Sequence, residues 1–117
     1  MSPLDALHSD RVLVRRALED RQEAFEALVL RYQRKAHAVA RAVGVDAGDL
    51  EDVVQEALLQ ALSGLGELRS PSSFGPWLLA IVRNVARKHL RRLARHAIAP
   101  LEDPDALAAP GAPAAEE

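Results

Sequence analysis

An all-α fold, with three long helices after a short N-terminal one, is what this sequence predicts, and three observations predict it. Apolar residues make up 49% of the 117-residue chain but aromatic ones only 3%, so the core consists mainly of Leu, Val, Ile and Ala. That mixture, poor in Thr, favours helix over strand. The apolar positions recur by threes and fours, and Gly, Ser and Pro gather where one periodic stretch gives way to the next. The length fits one domain.

Residues 1–9 read as a flexible leader. Asp10 is placed to cap a short helix carrying Val12, Leu13, Ala17 and Leu18 on one side. Glu19-Asp20-Arg21 marks a break. A long helix follows to about Val43, with Phe25, Leu28, Val29, Tyr32, Ala36, Val39, Ala40 and Val43 on its apolar face. Arg31, Arg34, Lys35 and Arg41 occupy the opposite face, and Gly44 is placed to end the helix in a left-handed turn. In the third helix Asp49 is the expected N-cap, with Asp52 three residues on and Asp46 as a rival one turn earlier. Leu50, Val53, Val54, Ala57, Leu58, Ala61, Leu62 and Leu65 form its stripe. Ser63, Gly64 and Gly66 close it. Ser70-Pro71-Ser72-Ser73 is a turn into the last helix, with Ser73 as cap and Pro76 in the first turn, where a missing N–H is tolerated. Phe74, Trp77, Leu78, Ile81, Val82, Val85, His89 and Leu90 repeat along that helix. The folded domain is expected over 10–96. From 97 to 117 the composition shifts to Ala, Pro, Gly and acids, which reads as a linker or tail.

Several function classes have little support. Without cysteine there is no disulfide or thiolate chemistry, which fits a reducing cytosol. No signal peptide is visible, and no apolar run approaches the roughly 18 residues that span a bilayer. A cytoplasmic protein with no membrane partner is expected. There is no Gly-rich phosphate loop and no Ser–His–acid set at suggestive spacing. His89 and His96 stand two turns apart, roughly 10 Å, too far for one metal ion. No metal, no cofactor and no enzymatic activity are therefore expected.

The net charge of −2 conceals a sorted distribution. From Asp46 to Glu67 there are six acids and no Lys or Arg; from Arg83 to His96, six Lys or Arg and no acid; from Glu102 to Glu117, five acids and no base. Such blocks point to two different partners. Asp49, Glu51, Asp52 and Glu56, beside Gln55, read either as a solvated helix face or as a docking surface for a basic partner. In the last helix Arg83, Arg87, Arg91 and Arg95 form one row, with Lys88 and Arg92 beside it. Like charges at this spacing destabilise a helix by a few tenths of a kcal/mol per pair, so the run reads as a surface for an anionic partner, the alternatives being solubility or a contact with the acidic tail. Six phosphate contacts would give a log–log salt slope of about −5 on duplex DNA or −4 on a single strand. Before that helix, Leu68, Arg69, Ser70, Ser72 and Ser73 set an apolar side chain, a guanidinium and hydroxyls where they could hold an unstacked base. Trp77 could serve as a stacking platform, but its place in the apolar stripe assigns it to the core.

These residues resemble a known family. The run from Asp52 to Leu58 (DVVQEAL), the run from Ser73 to Asn84 (SFGPWLLAIVRN) and the earlier Ala24–Val29 with Arg31-Tyr32 resemble region 2 of extracytoplasmic-function (ECF) sigma factors over about residues 10–96. The resemblance implies the region 2 type of helical bundle in a transcription initiation factor that binds core RNA polymerase and recognises and melts the promoter −10 element. It places Asp52, Gln55 and Glu56 on the clamp helices of the polymerase β′ subunit. Leu68 to Ser73 match the loop that captures a flipped base of the non-template single strand, and Asn84 an Asn that helps read the −10 element. Arg83, Arg87, Lys88, Arg91 and Arg92 match the basic helix along promoter DNA. An anti-sigma factor is a further partner such a domain can have, and a sigma-like interaction module or decoy without promoter activity is the alternative function. An enzyme built on a carboxylate bundle is a more remote rival. The sequence departs from the family at Leu68, where Phe is frequent, at Gly75-Pro76, and at Leu58, which also replaces a common Phe. Family members carry a second helical domain, region 4. The stretch up to Glu117 resembles the start of the interdomain linker, so the chain reads as an excised domain or as a short protein lacking that half.

Overall fold

In the computed structural model of the chain, residues 8–98 are described. The leader as far as residue 7, and the tail from residue 99 on, fall outside them. Among the described residues four helices run in order: α1 (Asp10–Leu18), α2 (Gln22–Val43), α3 (Ala47–Gly64) and α4 (Phe74–Ile98). Two short 3-10 turns, Leu65–Glu67 and Pro71–Ser73, join α3 to α4. No strand occurs among the described residues, so the all-α architecture of one short and three long helices is present.

The first helix begins differently from expectation. Ser9, not Asp10, is the N-cap: its hydroxyl accepts from the Val12 N–H at 3.3 Å. With the cap filled, Asp10 is free to turn inward. Its carboxylate accepts from Arg31 Nη1 at 2.6 Å and from the Tyr32 hydroxyl. Arg31 Nη2 also donates to the His8 carbonyl at 2.7 Å. Arg31 therefore leaves the outward basic face of α2 and ties α1 to it, because a half-buried carboxylate between two donors outweighs another solvated charge. The corner between α1 and α2 turns on Asp20, at φ 64°. Asp tolerates this left-handed conformation better than most residues.

At the other end of α2, Gly44 has φ 123° and its N–H reaches the Ala40 and Arg41 carbonyls, the left-handed ending expected of it. Asp46 takes the cap position of α3 in place of Asp49, with no side-chain capping bond. The Asp49 N–H bonds the Asp46 carbonyl at 2.9 Å, while the Asp49 carboxylate lies 3.2 Å from His89 Nε2 on α4. A tertiary partner has drawn the side chain away from the cap. Before α4, Ser70 holds the cap position of the turn Pro71–Ser73, which runs straight into the helix. Ser73 lies inside that turn rather than at the helix cap.

The core is continuous across all four helices. Leu13 and Val14 of α1, Leu28 of α2, Val54 of α3, and Phe74, Leu78 and Val82 of α4 are its largest fully buried side chains. Ala36, Ala40, Ala57, Ala61 and Ala86 have no exposed surface, and such small side chains let helix axes approach closely. Trp77 is half-buried against this core, its ring centroid 5.9 Å from that of Phe74, as the core assignment expects. Leu62 departs from the predicted stripe of α3 and is 49% exposed.

The Gly75-Pro76 pair has a packing explanation. A Cβ on Gly75 would lie 2.7 Å from the Tyr32 hydroxyl oxygen and 2.9 Å from its Cε1. Tyr32 also meets Phe74 edge-on, with ring centroids 5.6 Å apart. One aromatic side chain thus sits beneath the start of α4 while its hydroxyl holds α1 through Asp10.

Candidate functional site

Two faces and one turn carry the chemistry. On α4, Leu78, Val82, Val85 and Ala86 fix the buried side. At 100° per residue, Arg83, Arg87, Arg91, Asn84, Lys88 and Arg92 then span about half of the helix circumference, with Asn84 near the middle. Asn84, Arg87 and Lys88 are exposed, while Arg83, Arg91 and Arg92 are half-buried. This is the geometry of side chains whose stems lie on the bundle and whose charged ends reach outward. None of Arg83, Arg87, Lys88 or Arg92 is in an ion pair among the described residues.

The turn stands at the N-terminal end of this helix. Leu68 packs partly against the core, and Arg69, Ser70, Ser72 and Ser73 are exposed. The Ser70 and Ser72 hydroxyls are 3.0 Å apart and share one hydrogen bond. Helix α1 packs against the turn, so the Asp10–Arg31–Tyr32 cluster supports it from below. Asn84 and the turn do not form one pocket. From Phe74 to Asn84 the helix rises about 15 Å at 1.5 Å per residue. The hydroxyls and the amide are two stations along a surface, about four base steps apart at 3.4 Å per step.

Electrostatics at the supporting cluster are one-sided. The Tyr32 pKa is pushed up from 10.0 to about 12, first by burial, then by the hydrogen bond to Asp10 and the charge of that carboxylate, with Arg31 opposing. The phenol is thus held as a donor.

The second face belongs to α3. Asp52 and Gln55 are exposed and Glu56 is half-buried. The other two carboxylates of the acidic run are engaged by histidines: Asp49 by His89, and Glu51 by His37 Nε2 at 3.3 Å. Gln55 borders an apolar groove between α2 and α3, formed by Phe25, Val29, Leu58, Leu59 and Leu62. Leu30, Leu59 and Leu62 are 54%, 56% and 49% exposed there. Sequence reasoning missed this groove. The available signal was that Leu30 and Leu59 fall off the core-facing period of their helices.

His89 packs between helices, and His96 Nδ1 lies 3.3 Å from the Arg92 carbonyl one turn back. Among the described residues no three His, Asp or Glu side chains are grouped to hold a metal ion. No described helix is long and apolar enough to cross a membrane.

Comparison with known proteins gives this geometry its context. The family model for sigma-70 region 2 matches residues 28–96. The ECF RNA polymerase sigma-E factor of Escherichia coli K12 is 42% identical over 102 residues, which are 86% of this chain and 51% of that protein. The ECF RNA polymerase sigma factor SigM of Mycobacterium tuberculosis is 36% identical over 95 residues, 81% of this chain and 48% of the relative. The chain thus spans about half the length of the curated relatives it matches. Among solved structures, the NMR structure of an engineered region 2 of sigmaE in complex with GTAAAA is similar, with a TM-score of 0.72 and 36% identity, covering 82% of this chain and 97% of that one. The helical bundle, the motifs on α3 and α4 and these similarities agree: the chain belongs to the sigma-70 region 2 family, as a region 2 domain of the ECF sigma factor type.

Proposed function

We propose that this domain binds core RNA polymerase through α3 and recognises and opens the promoter −10 element through α4 and the turn before it. The observation that carries the reading is the segregation of charge onto neighbouring helices of one rigid core. Asp52, Gln55 and Glu56 meet a basic protein surface, the clamp helices of the β′ subunit, and the apolar groove beside Gln55 supplies buried area to that contact. Arg83, Arg87, Lys88, Arg91 and Arg92 neutralise phosphates and set the register of the strand. Asn84 reads a base edge with its amide.

Leu68, Arg69, Ser70, Ser72 and Ser73 receive an unstacked base of the non-template strand. A site that binds only the flipped base favours the open duplex by its differential affinity for that state. With Leu68 where Phe is frequent, the pocket offers an aliphatic wall instead of an aromatic stack. No catalysis is assigned to the chain; the polymerase forms the bonds. The complex of an engineered sigmaE region 2 with GTAAAA supports a strand-binding role for this fold.

Co-purification with core polymerase, with and without promoter DNA, tests the proposal. Association with core that survives in the absence of DNA, together with opening of a −10 duplex by the joint complex, is expected. Failure to associate with core in either condition contradicts it. A second reading, an interaction module covered by an anti-sigma partner, is favoured by the exposed Leu30, Leu59 and Leu62. It predicts core association without promoter opening, or none at all.

A further inference from the structure

The basic face of α4 has a second wall. Arg83, Arg87 and Arg91 line one side of a shallow groove, and Val39, Ala42 and Val43 of α2 line the other. No carboxylate is among the described residues that line it. Lys35 stands one turn before Val39 on the same row of α2, where residues four apart are neighbours. It is exposed, has no ion pair among the described residues, and its Nζ lies 5.8 Å from the centroid of the Tyr32 ring. Since that ring abuts Phe74 and Gly75, Lys35 stands at the end of the groove nearest the turn.

An aliphatic wall facing a row of guanidinium groups, with an ammonium group at one end, suits one kind of occupant. Deoxyribose has apolar faces that rest on Val39 and Ala42, while the phosphates on either side meet ammonium and guanidinium groups. A protein partner would need a run of acids in an extended segment; a nucleic-acid strand has this alternation at every step. From the charge complementarity and the shape of the floor, we infer that the groove between α2 and α4 seats the sugar–phosphate backbone of a DNA strand, and that Lys35 is a phosphate-contacting residue of this chain. The inference rests on the reading of α4 as a DNA-binding face and extends that face onto α2.

The test is titration of the intact chain with a fluorescent single-stranded oligo(dT), a sequence-neutral probe, across a range of salt. Lys35→Ala lowers the magnitude of the log–log salt slope by about 0.7, the share of one phosphate on a single strand. Ala42→Glu, at an exposed position on the floor, weakens binding while the melting temperature stays unchanged. Arg34→Glu makes the same charge reversal elsewhere on α2 and serves as control beside Lys35→Glu. Equal weakening by these two reduces the effect to net charge and overturns the inference. Loss of binding in Arg87→Glu with none in Lys35→Glu or Ala42→Glu also overturns it, yet leaves α4 as a DNA face. Absence of binding, or binding indifferent to Arg87→Glu and Lys35→Glu alike, overturns both.

Discussion

The faces of α3 and α4 are both built from like charges, but they are finished differently. On α3, two of the carboxylates have histidine partners on neighbouring helices, Asp52 stays exposed, and Gln55, with Glu26 of α2, borders solvent-facing leucines. On α4, Arg83, Arg87, Lys88 and Arg92 have no such partners among the described residues, and the floor beside them is a shallow furrow of small aliphatic groups. A charged rim around exposed apolar surface suits a folded protein partner, whose side chains can fill the groove. A dense cationic surface on which most charges lack an internal partner suits a polyanion, whose released counterions drive association. The contrast shows that charge sign alone does not name a partner; what lies between the charges does.

The comparison breaks most completely if the scaffold is loosened. Leu78 is fully buried in α4, where it faces the common core. Leu78→Ala should destabilise the fold by about 2–5 kcal/mol, read as a lowered denaturation midpoint, and both binding activities should fall together. Retention of either one at full strength would show that the faces do not depend on a shared core.

A smaller and more local effect is expected at the start of α4. Gly75→Ala drives a methyl into the Tyr32 hydroxyl and ring, and overpacking of this kind destabilises by about 1–3 kcal/mol. Strand binding should weaken more than polymerase binding, because Tyr32 underlies the turn and not the α3 groove. An equal decline in both would mean that the two faces are not separately supported.

The smallest effect sharpens the account of that support. Tyr32 titrates at about 12 in the fold, against 10.0 in its ordinary state. Its contribution to stability is therefore complete below pH 10 and is lost as pH climbs toward 12, since the unfolded phenol ionises first. Tyr32→Phe should flatten that part of the stability–pH curve relative to the parent chain. An unchanged curve in the variant removes the Asp10–Tyr32 hydrogen bond from the support of the turn.

Much of this was legible in the sequence because it depends on period and composition. The stripes of α2, α3 and α4, the glycine ending at Gly44, the assignment of Trp77 to the core and the exposure of Asn84 follow from helical spacing. Details set by tertiary partners were not legible. Asp10 and Asp49 have the chemistry of caps, yet each side chain is drawn off by a residue distant in sequence, Asp10 by Arg31 and Tyr32, and Asp49 by His89. Arg31 looked like one more cation on a solvated face for the same reason. Leu62 fits the core period of α3 but projects into the groove between α2 and α3, while Ala61 and Leu65 beside it are buried. Gly75 looked anomalous until the Tyr32 ring was found against it.

The central claim is that the two faces perform separable steps, and one crossed measurement tests it most directly. Core-polymerase binding and opening of a −10 duplex are measured side by side for Asn84→Ala and for the double reversal Asp52→Lys with Glu56→Lys. The account predicts that Asn84→Ala weakens promoter opening by about 1–3 kcal/mol with core binding unchanged. The acidic reversal should abolish core binding while leaving the chain's affinity for an isolated −10 strand intact. If both variants impair core binding and strand affinity in the same proportion, the division between α3 and α4 is contradicted.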